Sequence, residues 1–307
     1  MELQGLLNLQ LMMFILMGTG FFLRKREIIT KAGKQVLTDL IIDVILPCNI
    51  ITAFSIPMSR EILMSGMQVL VISLVLQLFC TMISGTCYNR LPKAKRMILQ
   101  YGTVCSNAGF LGNPVAEGLY GSLGLLYASI YLIPQRIVMW SAGVSYFTES
   151  PDRKTVIKKV VTHPCIVAVA IGIVLMLTQF QLPVFLSKSI SSLGGCTTAI
   201  TMVFIGAVLA EAGFKDMISK TTAVFAFIRL IAIPLAVMLG CMLFHVESTA
   251  AGLSVVLAAM PAGSTTAILA SKYHGDEAFA TQCVVLTTVL SMALLPVWCL
   301  VLNIVFP

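Results

Sequence analysis

The chain consists of ten apolar stretches, each about 20 residues long or slightly longer, separated by short polar connections. A helix of about 20 residues crosses the hydrocarbon core of a bilayer, and it satisfies within itself the backbone groups that lipid cannot hydrogen-bond. The predicted spans are, approximately, residues 4–23, 35–54, 63–86, 97–117, 123–147, 163–180, 187–210, 221–243, 249–270 and 278–305. The sequence therefore predicts an all-α integral membrane protein with ten transmembrane helices.

Basic residues are distributed unevenly between the connections. Those after spans 1, 3, 5, 7 and 9 hold 16 of the 20 Lys and Arg residues, whereas the opposite connections hold only Arg60 and Lys188. Because Lys and Arg near span ends are retained in the cytoplasm, this bias predicts a cytoplasmic-membrane protein with both termini outside the cell. It also assigns the net charge of +7 to orientation and attraction to the lipid surface, and not to nucleic-acid binding.

Composition and motifs exclude several other classes. With 58% hydrophobic and 11% charged residues, the chain is too apolar for a soluble globular domain. The nine Cys residues contain no C-x-x-C pair, so neither a disulfide framework nor a zinc site is predicted. H-E-x-x-H and G-x-S-x-G motifs are also absent from the sequence, and we expect no enzymatic activity, no cofactor and no bound metal.

Charged residues stand out at membrane depth: Asp39 and Asp43 in span 2, Arg136 in span 5 and Arg229 in span 8. Such charges are costly and usually face one another or a polar cavity. One interpretation is structural, an Asp–Arg pair that holds helices together. The other is functional, with at least one residue binding substrate or a coupling ion. Asp39 and Asp43 are four residues apart, so they are predicted to share a helix face and to form an ion-coupling site.

Spans 4 and 9 contain residues that interrupt helices. Pro removes a backbone donor and clashes with the preceding turn, and Gly favours irregular backbone. Such breaks persist in a membrane only where they are buried in protein or line a wet cavity, and paired breaks in two halves of a chain indicate a transporter binding site. The interrupting residues are Asn107, Gly109, Gly112, Asn113 and Pro114 in span 4, and Pro261, Gly263, Ser264, Thr265 and Thr266 in span 9.

The ten spans divide into two sets of five, and the odd number in each set forces the second set to be inverted relative to the first. We therefore predict a first five-helix repeat over residues 1–148, a short cytoplasmic linker over 149–162 and an inverted second repeat over 163–307. Spans 4 and 9 occupy corresponding positions in these repeats.

Six stretches carry a family resemblance. They are DVILPCNIITAF, SNAGFLGNPVAEGLYG, YLIPQRIVMWSAG, FIRLIAIPL, LAAMPAGSTTAILASKYHGD and LTTVLSMALLP, in this order. Their order and spacing resemble the auxin efflux carrier family, whose bacterial members include malate, malonate and lactate permeases. The resemblance extends along nearly the whole chain.

The resemblance implies two inverted five-helix repeats in which helices 4 and 9 are broken and cross near the membrane midplane. The crossover residues of the family fall here on Asn107, Pro114 and Pro261. The resemblance also implies a scaffold of spans 1, 2, 6 and 7 beside a moving transport part formed by the other spans. The short connection between spans 5 and 6 differs from the long loop of plant members, which argues against auxin as the substrate. Ala199 stands where family members often have a proline in span 7, and Thr266 stands where plant members carry a second proline in span 9.

The polar groups around the predicted crossover favour a small organic anion. They are rich in hydrogen-bond donors, half-helix N-termini add partial positive charge, and Arg136 can grip a carboxylate with two parallel hydrogen bonds. The predicted substrate-binding residues are Asn49, Asn107, Gly112, Asn113, Pro114, Arg136, Pro261, Gly263, Ser264 and Thr265. The sequence thus predicts a secondary active or facilitative transporter of a small carboxylate that works by alternating access.

Several alternatives stay open at this point. Transport is coupled to protons through Asp39 or Asp43, is driven by the membrane potential, or is that of a sodium-coupled organic anion symporter. A membrane sensor that reuses a transporter fold is a further alternative, although such a protein would normally carry a signalling domain. A homodimer formed through the scaffold is also compatible with the sequence.

Overall fold

The structure is a computed structural model, and it describes residues 3–57, 59–147, 153–211, 217–273 and 275–306. Most of these residues are helical, and no β-strand forms within these ranges. The helices are α1 Leu3–Lys25, α2 Lys31–Leu40, α3 Leu46–Ala53, α4 Arg60–Cys87, α5 Lys93–Val104, α6 Asn113–Val138, α7 Arg153–Val161, α8 Pro164–Thr178, α9 Val184–Gly194, α10 Thr197–Ala210, α11 Lys220–Phe227, α12 Ile233–Leu243, α13 Ser248–Ala258, α14 Thr265–Lys272 and α15 Glu277–Val305. Short π-helical segments occur at Ile41–Ile45, Ala108–Gly112, Met139–Gly143 and Ile228–Ala232.

Six helical segments of the described chain are long and apolar enough to cross a membrane. They are Ala32–Ala53, Arg60–Cys87, Ala108–Gly143, Val184–Ala210, Lys220–Leu243 and Glu277–Val305. A seventh arises if Lys154–Val161 and Pro164–Thr178, which are bent by 54° at the break between them, count as one span. The chain is therefore a multi-pass membrane protein, and the count of ten spans stays a prediction.

Part of the difference between six spans and ten lies at interruptions of the helices. Predicted span 9 is divided between α13 and α14, which have only 11 and 8 residues. Predicted spans 4 and 5 meet within α6 at Gly121, whose φ of 61° and ψ of −149° are not helical. Gly adopts positive φ at no steric cost, so this residue lets the chain change direction between the two spans. Residues 113–120 therefore form a short helical segment of their own, which we call the first segment of α6.

The residues form two compact units by contacts within the chain. Unit 1 comprises Met1–Met64, Asn113–Ile130 and Val161–Glu211, and unit 2 comprises Ser65–Gly112, Tyr131–Val160 and Ala212–Pro307. Unit 1 contains predicted spans 1, 2, 6 and 7, the group that the resemblance assigns to a scaffold. The predicted repeats over 1–148 and 163–307 divide the chain by sequence position, whereas the two units are defined by contacts. The division into repeats therefore stays a prediction. Residues 148–152, which include the start of the predicted linker, lie outside the described residues.

Close contact between α1 and α10 organises unit 1. A Cβ atom at Gly20 would overlap with the carbonyl group of Val203, and one at Gly206 would overlap with the carbonyl group of Met17. Each helix thus contributes one glycine at which the backbone of the other helix touches it. Small residues permit this close approach, and van der Waals packing is the main attraction between helices surrounded by lipid.

Replacing Gly206 with alanine is expected to destabilise the protein, because the added methyl group has no space beside the backbone of Met17. Overpacking of this kind costs about 1 to 3 kcal/mol. We expect thermal unfolding of the purified protein in detergent to shift down by about 2 to 10 °C. Gly18→Ala is the matched control, since no atom lies within 4 Å of a Cβ at Gly18. Equal unfolding temperatures for the two variants would contradict this account of the α1–α10 contact.

A cluster of charges lies at the end of α10 in unit 1. Glu211 accepts a 2.9 Å hydrogen bond from Nε of Arg24, and its second carboxylate oxygen pairs with Nζ of Lys34. Partial burial opposes the negative charge and acts to raise the pKa of Glu211, but the hydrogen bonds and charges of Lys34 and Arg24 outweigh burial and lower that pKa. The folded protein therefore stabilises Glu211 in its ionised form.

Because the pKa of Glu211 is lower in the folded protein than in the unfolded chain, its ionisation stabilises the fold above the unfolded pKa, and this contribution is lost as the pH falls through the folded pKa. Glu211→Gln is expected to lower the unfolding temperature by about 1 to 3 °C at neutral pH, since exposed ion pairs contribute at most about 1 kcal/mol. The difference from the parent protein is expected to vanish well below pH of about 4. Glu27→Gln, at an exposed position after α1, serves as the control. A difference that persists in acid would indicate that Glu211 acts through packing instead.

Candidate functional site

Unit 2 contains the non-helical residues of both predicted helix breaks. α5 ends at Val104 and α13 ends at Ala258, and several residues after each end are not helical. Ser106 and Ala262, one from each of these irregular stretches, form an isolated antiparallel bridge. We call residues 105–107 and 261–263, which cross at this bridge, the crossover.

Backbone hydrogen bonds hold the crossover together. The N–H of Asn107 donates to the carbonyl of Pro261 at 2.7 Å, and the N–H of Gly263 donates to the carbonyl of Cys105 at 2.9 Å. Pro261 has no N–H for a helix but keeps its carbonyl as an acceptor. A Cβ at Gly263 would lie only 3.2 Å from the carbonyl oxygen of Cys105, so the absence of a side chain there lets the two stretches approach. The interrupting residues of the sequence thus bond to each other.

The side chains of Gln135 and Thr287 reinforce the crossover from neighbouring helices. The side-chain amide of Gln135 donates to the carbonyl of Ser106 at 2.8 Å, and its amide oxygen accepts from the hydroxyl of the same serine at 2.8 Å. Thr287 of α15 accepts a 3.2 Å hydrogen bond from the N–H of Ala262. Gln135 and Thr287 are buried, so these bonds are shielded from competing water.

Arg229 contacts residues that adjoin the crossover, at the ends of both interrupted helices. Its Nε donates to the carbonyl of Met260 at 3.0 Å, and its Nη1 lies 3.4 Å from the carbonyl of Thr103. These carbonyls belong to the C-terminal ends of the α13 and α5 half-helices, where the helix dipole is negative. Arg229 lies in the π-helical segment Ile228–Ala232, which belongs to unit 2. The sequence left open whether Arg229 forms an ion pair with an aspartate. In the structure, the Arg229 guanidinium instead donates to two backbone carbonyls.

The polar residues at the start of α14 have different surroundings. Ser264 and Thr265 are half-buried, and Thr265 Oγ1 accepts a 3.1 Å hydrogen bond from the hydroxyl of Tyr101. Thr266 is fully buried, and its Oγ1 has no hydrogen-bond partner among the described residues. Three side-chain hydroxyl groups are therefore grouped at the N-terminus of this half-helix.

Gly112 has a packing position next to the crossover. The carbonyl of Asn107 accepts hydrogen bonds from the N–H groups of Leu111 at 2.9 Å and Gly112 at 3.3 Å, which starts the π-helical segment Ala108–Gly112. A Cβ at Gly112 would lie 2.8 Å from Cδ2 of Leu257 on α13. The predicted site residue Gly112 therefore lets this segment lie against α13.

Arg136 is a buried cation of unit 2, and one of its N–H donor groups makes no hydrogen bond to the described residues. Its side chain is 6% exposed, and Nη1 has no hydrogen-bond partner among the described residues. It directly follows Gln135, which is bonded to the crossover. A buried cation with an unused donor is costly unless an anion can reach it. The binding of a carboxylate by Arg136 stays a prediction.

The remaining predicted substrate-binding residues lie in unit 1. Asn113 and Pro114 begin α6, and Asn113 is fully buried with no hydrogen-bond partner for either its amide nitrogen or its amide oxygen in the described chain. Asn49 of α3 is 3% exposed; its amide nitrogen lies 3.4 Å from the carbonyl of Gly194, and its amide oxygen has no partner there. The structure thus divides the predicted site residues between the two units.

Asp39 and Asp43 are exposed on unit 1. Asp39 accepts a 2.8 Å hydrogen bond from the side-chain amide of Gln35, and Asp43 lies in the π-helical segment Ile41–Ile45. Ion coupling was inferred for carboxylates enclosed at membrane depth, and within unit 1 neither Asp39 nor Asp43 is enclosed. Their role in coupling stays a prediction.

Sequence reasoning singled out neither Gln135, Tyr101 nor Glu117, and the partner that it considered for Arg229 was an aspartate. Gln135 directly precedes the buried Arg136, and Glu117 is an acidic residue in the stretch SNAGFLGNPVAEGLYG, so each had a signal in a motif already singled out. Across the described chain, no group of three or more His, Cys, Asp or Glu residues could hold a metal ion.

Comparison with known proteins gives relatives along nearly the whole chain. A family described as membrane transport protein matches residues 7–299. An uncharacterized transporter of Methanothermobacter thermautotrophicus is 25% identical over 300 residues, covering 95% of this chain and 97% of the relative. The uncharacterized transporter MJ1031 of Methanocaldococcus jannaschii is 22% identical over 301 residues, covering 95% and 97%. The uncharacterized transporter YfdV of Escherichia coli K12 is 22% identical over 306 residues, covering 95% and 96%.

Proposed function

Since this chain belongs to the membrane transport protein family, that of the auxin efflux carriers, we propose that it moves a small organic anion across the cell membrane by alternating access. In this proposal the ten predicted spans form two inverted five-helix repeats, and both termini lie outside the cell. Family membership accounts for transport across a membrane. The choice of an anion comes from the charges around the crossover.

The buried guanidinium of Arg136 is the observation that carries the proposal. Its Nη1 lacks a hydrogen-bond partner among the described residues, although the side chain is only 6% exposed. An unpaired charge at membrane depth is costly, and such residues mark substrate pathways in membrane proteins. A carboxylate offers two oxygens to the planar fork of a guanidinium, which makes it the best-matched partner for this position.

The crossover offers further complementarity to an anion. The N-terminal end of α14 carries partial positive charge, and the side chains of Ser264 and Thr265 are half-buried there. Arg229 adds a second fixed positive charge, which is bonded to the C-terminal carbonyls of the other half-helices. The positive charges of Arg136 and Arg229 and the N-terminus of α14 in unit 2 thus favour a negatively charged ligand over a neutral or cationic one.

The experiment that tests this function measures currents from purified protein in proteoliposomes on a solid-supported membrane. Malate, malonate, lactate, pyruvate and indole-3-acetate are applied in concentration jumps, with sodium present and with sodium replaced by choline. A saturable response to at least one carboxylate supports the proposal. Dependence on sodium identifies a sodium-coupled symporter. Binding of these anions without current and without exchange of labelled anion would contradict transport and favour a sensor.

Replacing Asn107 with alanine is expected to lower the saturable current at least about tenfold, which corresponds to about 1.4 kcal/mol. The backbone of Asn107 holds the crossover, so its side chain is placed beside the bridge and its loss removes an amide donor and acceptor. Asn89→Ala, at an exposed turn position after α4, is the control. Wild-type current in the Asn107 variant would remove this side chain from the substrate site.

A further inference from the structure

We propose that Glu117 carries a coupling proton, held by Asn49 and Asn113 in unit 1. We call these three residues the carboxylate cluster. One carboxylate oxygen of Glu117 takes a proton from water on one side of the membrane, forming an O–H bond, and returns the proton to water on the other side. The coupling role rests on the proposed transport function, whereas the proton site itself can be tested without any substrate.

The cluster is assembled from two segments of unit 1. Glu117 lies in the first segment of α6, one helical turn after Asn113, so the two side chains share a helix face. The amide of Asn49, from α3, lies within hydrogen-bonding reach of the Glu117 carboxylate. Glu117 is half-buried, and both asparagines are nearly or completely inaccessible to solvent. Glu117 is therefore partly accessible, whereas the two asparagines are enclosed by protein.

The hydrogen-bonding capacity of the cluster fits both protonation states of Glu117. An ionised carboxylate only accepts, and the amide nitrogen of Asn49 is a donor within reach. A protonated carboxyl group also has an O–H to donate. The amide oxygens of Asn49 and Asn113 have no partner among the described residues, although both side chains are buried. Buried acceptors without partners are rare, and a protonated Glu117 would give one of them a donor.

On the described helices of unit 1 that pack near Glu117, no cation lies beside its carboxylate. Leu9 of α1 packs against Gly118, and the described basic residues of α1, Arg24 and Lys25, stand at the far end of that helix. α3 contains Cys48 as its only ionisable side chain, and the exposed Asp43 precedes that helix. Gly194 of α9 contacts Asn49, and Lys188 of that helix is exposed. Tyr120 follows on the same segment as Glu117.

Because no basic side chain of these helices lies beside Glu117, the proposal assigns the neutralisation of its negative charge to a bound cation. A proton requires only one O–H bond and one acceptor, which the cluster provides. A sodium ion would instead need several oxygen ligands around it, and it would use the same amide oxygens. The two ions are therefore distinguished by experiment, and we commit to the proton.

The first test is infrared difference spectroscopy of the purified full-length protein in lipid, titrated with acid in the absence of substrate. The parent protein is expected to show the C=O band of a protonated buried carboxyl group, and Glu117→Gln is expected to lack that component. Glu61→Gln, at an exposed position in α4, is the matched control and should retain it. Glu117→Asp keeps a carboxyl group and should retain a shifted band if the glutamine variant does not fold.

A band that persists in Glu117→Gln, or that disappears in Asp43→Asn, overturns the proposal. Loss of the band when sodium replaces choline overturns it in favour of a sodium site.

The second test measures uptake of the transported carboxylate into proteoliposomes under an imposed pH gradient. Glu117→Gln is expected to reduce accumulation against a concentration gradient at least tenfold, and to reduce anion exchange at equal concentrations much less. Unchanged accumulation overturns the coupling role. If the parent protein moves none of the tested anions but the infrared component still depends on Glu117, the proposed function fails while the proton site stands.

Discussion

Replacing Arg136 with glutamine is expected to lower the substrate-dependent current by about 10- to 100-fold. Hydrogen bonds to charged groups contribute about 1.5 to 3 kcal/mol, and each 1.4 kcal/mol corresponds to a factor of ten. Arg136 is buried and has an unused donor at Nη1 among the described residues, so a bound carboxylate would gain this contribution in full. Glutamine keeps part of the side-chain volume and a single amide donor group, but it has no charge. The measurement is the current on a solid-supported membrane for the carboxylate that the parent protein transports.

Two further variants make the Arg136 prediction specific. Arg136→Lys keeps the positive charge but loses the planar fork, so its current should fall between those of the parent protein and Arg136→Gln. Arg90→Gln removes a positive charge from an exposed turn and should leave the current unchanged. A parental current in Arg136→Gln, with the protein correctly folded, would exclude Arg136 from substrate binding and would remove the main support for an anionic substrate.

Replacing Arg229 with methionine is expected to lower the unfolding temperature by about 5 to 10 °C and to abolish the current. Methionine has a similar length but no donors, so the carbonyls of Met260 and Thr103 would lose their side-chain partner. Each buried acceptor left without a partner costs about 1 to 3 kcal/mol. The ends of two half-helices would also lose the cation beside their negative dipoles. The measurements are thermal unfolding in detergent and the current of the same preparation.

The comparison variants separate the loss of charge from the loss of geometry. Arg60→Met removes an exposed arginine at the start of α4, and it should change the unfolding temperature little. Arg229→Lys keeps the charge but cannot serve two carbonyls through a rigid fork, so we expect partial stability and a reduced current. If Arg229→Met unfolded at the parental temperature, the two carbonyl contacts would have no role in holding the crossover.

The break in span 9 was predictable because proline and glycine act on the backbone at their own positions, whereas in span 4 the non-helical residues are 105–107, and Gly112 and Pro114 lie in helical segments. Pro261 cannot donate to a helix, and Gly263 permits an approach to Cys105 that a side chain would hinder. The direction change at Gly121, between spans 4 and 5, has the same local origin. Each of these features depends on a few neighbouring residues, so the sequence carries the information directly.

The partners of the charged residues were not predictable in the same way. Arg229 bonds to a carbonyl of residue 103 and another of residue 260, which are distant in sequence. The segment Ile228–Ala232 is π-helical, and the extra residue in its turn changes the direction of the side chain relative to an α-helix. Asp43 likewise lies in a π-helical segment, Ile41–Ile45, whereas the predicted spacing from Asp39 assumes a regular α-helix.

By itself, the sequence determined that this chain is a helical multi-pass membrane protein and that two of its helices are interrupted. Apolar length, proline and glycine act over distances of a few residues, and lipid allows few alternatives to a helix. Only the tertiary structure decided that the two interruptions bond to each other, that Gln135 and Arg229 support them, and that Glu117 lies beside Asn49. Those arrangements depend on which helices pack together, and packing between apolar helices is set by the shapes of small and large side chains along their whole length.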